Sequence, residues 1–581
     1  MTASAESSLG VPVPTSRAVP LRAGDFPTLL DALDYAAQAG TGVSFHDGRG
    51  GLVQSLTWSD VAERARVAGH ALAALDLERG ASVGIVADTH PDFIVSFFAC
   101  RFAALTPVPL PASIHMGGHG QYVELLGRLL AHARARVCLA NDAFTTYVAE
   151  CDPGASLRFR GTLGELVARQ PGAALPDRPR PDELAYIQYT SGSTRFPRGA
   201  MLTERATLRN VLAIARDGLA IRDGDRFCSW LPLYHDMGLV GKVIVPMASQ
   251  TSIDYLGTRE FAMRPRVWLR LMTERRATIS FSPPFGYEIT ARRLRAGDAA
   301  QLDLSAWRVA GCGADMIRPE VLERFAEAMA PAGFDRRALT PSYGMAEVSL
   351  AVSFTPLGAG LEIDEIDHER RERDNLALPL ARDDEHRRAR FTVCGRPLPD
   401  YRVEIRDEAG APLPERHVGA VYLDTPSTMS GYFDPPGVDR SSLHDGWLDT
   451  GDLGYLADGR LVITGRRKDL MIINGRNIWP QDIEFVAERR PDIRTGDAAA
   501  FTIEGEDGSE VLVLLLQCRE QDDEARAQLI RGIRSDIQAE FGVDARVTPV
   551  APHSLPRTTS GKLSRARARL DYLELLAADA S

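Results

Sequence analysis

The stretch that most constrains this chain runs from Leu184 to Thr203. Leu184 to Tyr189 is apolar and aromatic, which predicts a strand. It delivers the loop Thr190-Ser191-Gly192-Ser193-Thr194-Arg195-Phe196-Pro197-Arg198-Gly199. Small residues let a backbone close around a polyanion, whose oxygens then accept from N–H groups and hydroxyls. Arg195 and Arg198 add fixed charge that can pair with phosphate. Ala200-Met201-Leu202 predicts a second short strand, and Thr203 an N-cap for a helix starting near Glu204. The spacing is not that of the Walker loop, because Gly199 is followed by Ala200 rather than by Lys and Ser or Thr. Taken alone, the loop fits a phosphate cradle and a solvated surface turn equally well.

The same design recurs along the chain. Ser82–Ala87 (strand), Asp92–Ala103 (helix) and Thr106–Leu110 (strand) form the βαβ pattern of an α/β fold. A helix over Tyr122–Ala133 and a strand over Arg136–Ala140 continue it. Ser59 is the expected cap of a helix reaching Leu75, with Glu63 near the capping-box position. A strand at Cys228 runs into Trp230-Leu231-Pro232-Leu233-Tyr234-His235-Asp236-Met237-Gly238, and a helix over Gly238–Met247 should follow. Arg308 to Asp315 and Leu339 to Glu347 likewise break from strand into loops rich in Gly, Tyr and Glu. Open α/β sheets bind ligands at the carboxyl ends of their strands.

A chain of 581 residues is too long for one core. The expected organisation is a flexible leader over 1–22, a large α/β domain over 23–467 with a small β subdomain from Val393 on, and a small, mobile α+β lid over 468–581. Between about 355 and 391 lies a dense charge mix, including Glu369-Arg370-Arg371-Glu372-Arg373-Asp374, which predicts a solvated excursion, partly helical or mobile. In the last part, Pro480–Arg489 and Asp523–Phe541 predict helices, the second stopped by Gly542. The formal net charge of −11 argues against a general nucleic-acid binder. Seven scattered cysteines without a Cys-x-x-Cys pair suit buried free thiols in a reducing compartment. With no apolar run of membrane-spanning length and no secretory pattern at the start, the expected location is cytoplasmic.

Several stretches, in this order, resemble the adenylate-forming enzymes: the Tyr189–Thr194 loop, Tyr234-His235-Asp236-Met237-Gly238, Ser342-Tyr343-Gly344-Met345-Ala346-Glu347, Thr450-Gly451-Asp452-Leu453-Gly454, Gly465-Arg466-Arg467-Lys468-Asp469 and Ser560-Gly561-Lys562. That superfamily holds acyl-CoA synthetases, luciferases and the adenylation domains of peptide synthetases. Within it the chain is most similar to the fatty acyl-AMP ligases, on Gly192-Ser193-Thr194-Arg195-Phe196-Pro197, Trp230 to Leu239 and Asn474 to Glu484. Arg195 stands where most acyl-CoA synthetases have Gly. The charged excursion falls where these ligases carry an insertion linked to passing the acyl group to a carrier protein instead of coenzyme A.

The resemblance implies a fatty acid and ATP as substrates, Mg²⁺ as the metal, and an acyl carrier protein or carrier domain acting in trans as the acceptor. It implies that Thr190, Ser191, Gly192, Ser193, Thr194 and Arg195 hold the phosphates, with Glu347 and Thr190 at the metal. Ala314, Asp315, Ser342, Tyr343, Gly344 and Met345 would hold adenine, with Asp452 and Arg466 on the ribose. Lys562 would bridge carboxylate and phosphate, His235 would sit at the mouth of the acyl site, and Lys468 would be the hinge. Met237, Gly238, Phe285, Gly286 and Met345 would line the acyl pocket by position. Alternatives are an acyl-CoA synthetase, a non-catalytic acyl- or nucleotide-binding protein, and an amino-acid adenylation module, which Asp236 would suit. Glu204 replaces a His common after the phosphate loop, and Pro283-Pro284-Phe285-Gly286 departs from the expected pattern.

Overall fold

A computed structural model describes residues 13–112, 118–154, 157–169, 172–190, 196–295, 297–380, 387–435, 437–473, 476–505, 510–557 and 563–579. Its largest sheet has nine strands. Across the sheet they run Arg396–Pro397, Ala351–Phe354, Leu339–Gly344, Val309–Cys312, Ile279–Ser282, Arg226–Ser229, Ser252–Leu256, Gly42–His46 and Leu52–Thr57. The strands from Leu339–Gly344 through Gly42–His46 are mutually parallel. The loops that leave Ser229, Cys312 and Gly344 therefore emerge along one edge, where the sequence motifs lie.

A four-stranded parallel sheet (Thr106–Leu110, Ser82–Val86, Val137–Leu139, Phe159–Gly161) confirms the βαβ reading. Leu184–Tyr189 pairs antiparallel with Gly199–Thr203, and Tyr432–Asp434 pairs with the latter strand. Thr203 caps the helix Glu204–Ala213 by accepting from the Ala206 N–H at 3.1 Å. The small β subdomain pairs Arg402–Arg406, Gly419–Asp424, Trp447–Ala457 and Arg460–Arg466.

The C-terminal part has its own apolar core, in which Ile483, Leu512, Leu514, Ile533 and Ile537 meet. It is built on Ala498–Glu504 and Glu510–Gln517, paired antiparallel, with Ala545–Val550 added in parallel. The helix Asp523–Phe541 ends at Gly542, whose φ of +66° suits a residue without a Cβ.

Some expectations need correction. The helix Trp58–Ala73 is capped by Thr57, and Asp60 closes the capping box, two and three residues earlier than Ser59 and Glu63. The cap is also the last residue of the strand Leu52–Thr57, which hides that boundary in the sequence. The helix after His235 is interrupted: α-helical Asp236–Leu239 passes into a π segment, Val240–Ile244, before Val245–Ala248. Within the stretch expected to be a flexible leader, Val13 is buried and its carbonyl accepts from Arg226 at 2.9 Å.

Among its described residues the charged excursion is solvated only in part: Glu369, Arg373 and Asp374 are exposed, but the opposite face of the run is buried. Ile363–Asp367 pairs with Arg388–Thr392 around the helix His368–Asp374, in which Arg371 and Glu372 are 1% and 3% exposed. Its charges meet the C-terminal part: Arg371 pairs with Asp482 at 2.5 Å and Glu372 with Arg476 at 2.6 Å. Composition could not show this, because the partners of Arg371 and Glu372 lie 111 and 104 residues away along the chain.

Candidate active site

The motif loops line one cavity of about 1460 Å³. Single ligand pockets span about 300–1,000 Å³, so this one has room for a nucleotide and a second substrate together. Its polar wall carries Thr190, His235, Tyr343, Glu347, Asp452 and Arg466.

Two close packings fix the loops. A Cβ on Gly344 would sit 1.9 Å from the Leu350 carbonyl oxygen, and one on Gly238 would sit 2.0 Å from that of Pro232. Only glycine lets the backbone turn there. Tyr343 donates its hydroxyl hydrogen to Asp452 Oδ2 at 2.7 Å. Burial, reinforced by the Asp452 charge, pushes the Tyr343 phenol well above its ordinary range, so it stays a donor. Arg466 lies 3.4 Å from Asp452 Oδ1, and that carboxylate raises its pKa further. An aromatic ring beside a buried acceptor-only carboxylate suits a purine stacked over a diol.

Glu347 is buried and accepts a hydrogen bond from Tyr432 at 2.7 Å. Arg198 does not face the phosphate loop as a free cation. Its guanidinium stacks 3.4 Å above the Tyr432 ring and pairs with Asp439. A hairpin far along the chain supplies both partners, which a local charge pattern does not reveal. Thr190 donates its N–H to the Arg198 carbonyl at 2.8 Å, closing the base of the loop. Ser191, Gly192, Ser193, Thr194 and Arg195 lie outside the described residues.

Lys562 also lies outside them, but both of its flanks reach the site. Leu555, Pro556 and Arg557 line the large cavity, while Leu563, Ser564 and Arg565 line a smaller one of about 170 Å³. The two cavities share Ala314, Ser342, Tyr343, Gly344, Asp452 and Arg466. Asp315 lines the smaller cavity alone and Met345 the larger. Arg565 holds Glu484 through two 2.7 Å bonds. Lys468 sits in the single 3₁₀ turn Arg467–Asp469, after the strand Arg460–Arg466 and before Met471–Ile473.

Of the residues expected at the acyl site, Met237, Gly238, Phe285 and Met345 line the large cavity. Gly286 instead backs onto Trp230, where a Cβ would lie 2.5 Å from the indole. Glu204 is fully buried, 2.9 Å from Arg101, and accepts from the Leu29 N–H at 2.7 Å. It holds the fold together rather than facing the site. Sequence reasoning also missed Tyr432, the partner of Glu347, and Arg128, which lines the cavity from the helix His119–His132. No described group of three or more His, Cys, Asp or Glu side chains could hold a metal by itself.

Residues 35–433 match the family described as AMP-binding enzyme. The chain belongs to that family, the adenylate-forming ligases. This AMP-binding enzyme is 44% identical over 562 residues to a Caulobacter vibrioides protein named "Putative acyl-CoA synthetase", covering 96% of this chain and 98% of the other. It is 31% identical to the medium-chain-fatty-acid–[acyl-carrier-protein] ligase JamA of Moorena producens, over 95% and 96% of the two chains. A solved structure from a study of fatty acyl-adenylate ligases from E. coli and L. pneumophila superposes with a TM-score of 0.91 at 44% identity, over 96% of this chain and 100% of that one. Among the described residues, no helix of the AMP-binding enzyme is long and apolar enough to cross a membrane.

Proposed function

We propose that this enzyme activates a fatty acid with ATP to acyl-AMP and then passes the acyl group to the phosphopantetheine thiol of a carrier protein in trans. One observation carries the reading. The Tyr343–Asp452–Arg466 cluster opens into the same cavity as an apolar wall of Trp230, Leu231, Met237 and Phe285.

A carboxylate oxygen attacks the α-phosphorus, the bond to the bridging oxygen breaks, and pyrophosphate leaves. Carboxylate and triphosphate repel each other, so rate enhancement comes from positioning and charge neutralisation. Ser191 to Arg195 hold the β- and γ-phosphates. Tyr343 stacks on adenine, flanked by Ala314, Asp315 and Met345, while Asp452 accepts from the ribose hydroxyls beside Arg466. Lys562 bridges the incoming carboxylate and the phosphate. His235 positions the carboxylate and needs no base role, since a carboxylate is already ionised at neutral pH.

The donor set suits Mg²⁺, which takes one or two protein oxygens and completes its shell with phosphate and water. Glu347 and the Thr190 hydroxyl would supply those oxygens, and the ion would neutralise charge on the phosphates. In the second step a thiol sulfur attacks the acyl carbon and AMP leaves. We assign Lys468 as the pivot about which residues 468–581 turn between the steps, and a cytoplasmic location.

The name carried by the Caulobacter relative keeps coenzyme A as the second acceptor to be tested. The first step is tested by fatty-acid-dependent pyrophosphate release from ATP. Lys562→Ala is expected to cut the rate by at least a hundredfold, about the scale of losing one transition-state charge contact. Undiminished release by that variant would contradict the assignment.

A further inference from the structure

Lys242 is not used by the mechanism above. It lies in the π segment Val240–Ile244, on the helix that begins beside His235, and is only 2% exposed. Such segments inside α-helices recur at functional sites. The ammonium lies 4.2 Å from the Phe281 ring centroid and 5.0 Å from that of Phe227. Among the described residues it makes no hydrogen bond and no ion pair.

The groups around it do not supply a counter-charge. Burial keeps the neighbouring Cys228 thiol protonated. The Tyr255 hydroxyl donates to the Lys242 backbone carbonyl at 2.6 Å rather than meeting the side chain. Asp254 is already held by Arg226, His46 and Arg275. Burial drops the Lys242 pKa to about 7. A buried ammonium without an acceptor is costly, and aromatic faces offset only part of that cost.

Lys242 lines the large cavity together with Ile214, Leu219, Phe281, Leu350 and Phe354. A purely apolar wall would serve an unsubstituted chain better. We propose that Lys242 recognises an oxygen function carried along the acyl chain. The preferred substrate is then an oxygenated fatty acid (a hydroxy, oxo or dicarboxylic acid) rather than a plain saturated one. This rests on the fatty-acid reading of the site.

The test is pyrophosphate release by the full-length enzyme with acids matched in length: unsubstituted, hydroxy, oxo and dicarboxylic. The wild type is expected to favour at least one oxygenated acid by about tenfold or more in kcat/KM, the usual scale of a hydrogen bond to a charged group. Lys242→Met, close to isosteric, is expected to swing the preference to the unsubstituted acid. Should that variant fail to fold, the wild-type pH profile decides. The kcat/KM ratio of dicarboxylic to unsubstituted acid is expected to fall as pH rises through about 7. Preference for unsubstituted acids in the wild type, or the same ratios in Lys242→Met, overturns the proposal and leaves the fatty-acid reading intact. Activation of no acid at all overturns that reading instead.

Discussion

Tyr432 donates its hydroxyl hydrogen to Glu347 Oε1 at 2.7 Å, under the stacked guanidinium of Arg198. The chain Asp439–Arg198–Tyr432–Glu347 aims a buried carboxylate into the cavity. Tyr432→Phe keeps the ring and its stacking but leaves Glu347 without that donor. The expected result is a rise in the Mg²⁺ concentration for half-maximal activity and a fall in rate, each about tenfold, as for a lost hydrogen bond to a charged group. The measurement is pyrophosphate release titrated with Mg²⁺. Superimposable curves for wild type and variant would show that Tyr432 does not position Glu347.

Asp452 accepts from Tyr343 and faces Arg466. Asp452→Asn preserves shape but exchanges an acceptor for a donor and removes the charge. KM for ATP is expected to rise by about tenfold or more, on the scale of a charged hydrogen bond. Tyr343→Phe, which keeps the stacking ring, is expected to raise it less. ATP–pyrophosphate exchange at varied ATP reads both. Equal effects from the two variants would remove the ribose role from Asp452.

The Arg101–Glu204 pair is 2% and 0% exposed at its side chains. Breaking a buried pair leaves an uncompensated charge, so Glu204→Gln is expected to lose about 3–5 kcal/mol of stability. Urea unfolding followed by circular dichroism measures it, while activity per folded molecule stays at the wild-type level. A loss below about 1 kcal/mol, the level of an exposed pair, would contradict the assignment.

His368 packs edge-on against Phe541, 5.6 Å between centroids, in the seam between the excursion and the C-terminal part. Burial drops its pKa to about 2, helped by the charges of Arg371, Arg387 and Arg476; Glu372 lies 3.4 Å away. A free histidine titrates near 6.5. Below about pH 6.5 the undocked chain therefore takes up a proton that the docked chain refuses, and the seam weakens as pH falls. Above that pH His368 adds no slope. Thermal unfolding between pH 5 and 7.5 is expected to show a steeper acid-side decline in wild type than in His368→Gln. Parallel profiles would count against the seam's dependence on this residue.

Much of the fold was legible because local pattern and tertiary role agree. Leu184–Tyr189 is buried as its apolar run implies, Thr203 caps the helix it precedes, and Gly542 ends the one it follows. The motif loops converge because the parallel strands carrying them share one edge. What escaped depends on partners remote in sequence. Arg371 and Glu372 look solvated until Asp482 and Arg476 arrive, and Arg198 looks free until Tyr432 lies beneath it. Lys242 escaped differently: one π turn within an apolar helix leaves no compositional trace.

The central claim is best tested by incubating the purified enzyme with ATP, Mg²⁺, coenzyme A and a mixture of fatty acids, including oxygenated ones, and analysing the products by mass spectrometry. Acyl-AMP that persists beside unconsumed coenzyme A is the expected result. Acyl-CoA as the main product would contradict the carrier-protein assignment and make this enzyme a coenzyme A synthetase.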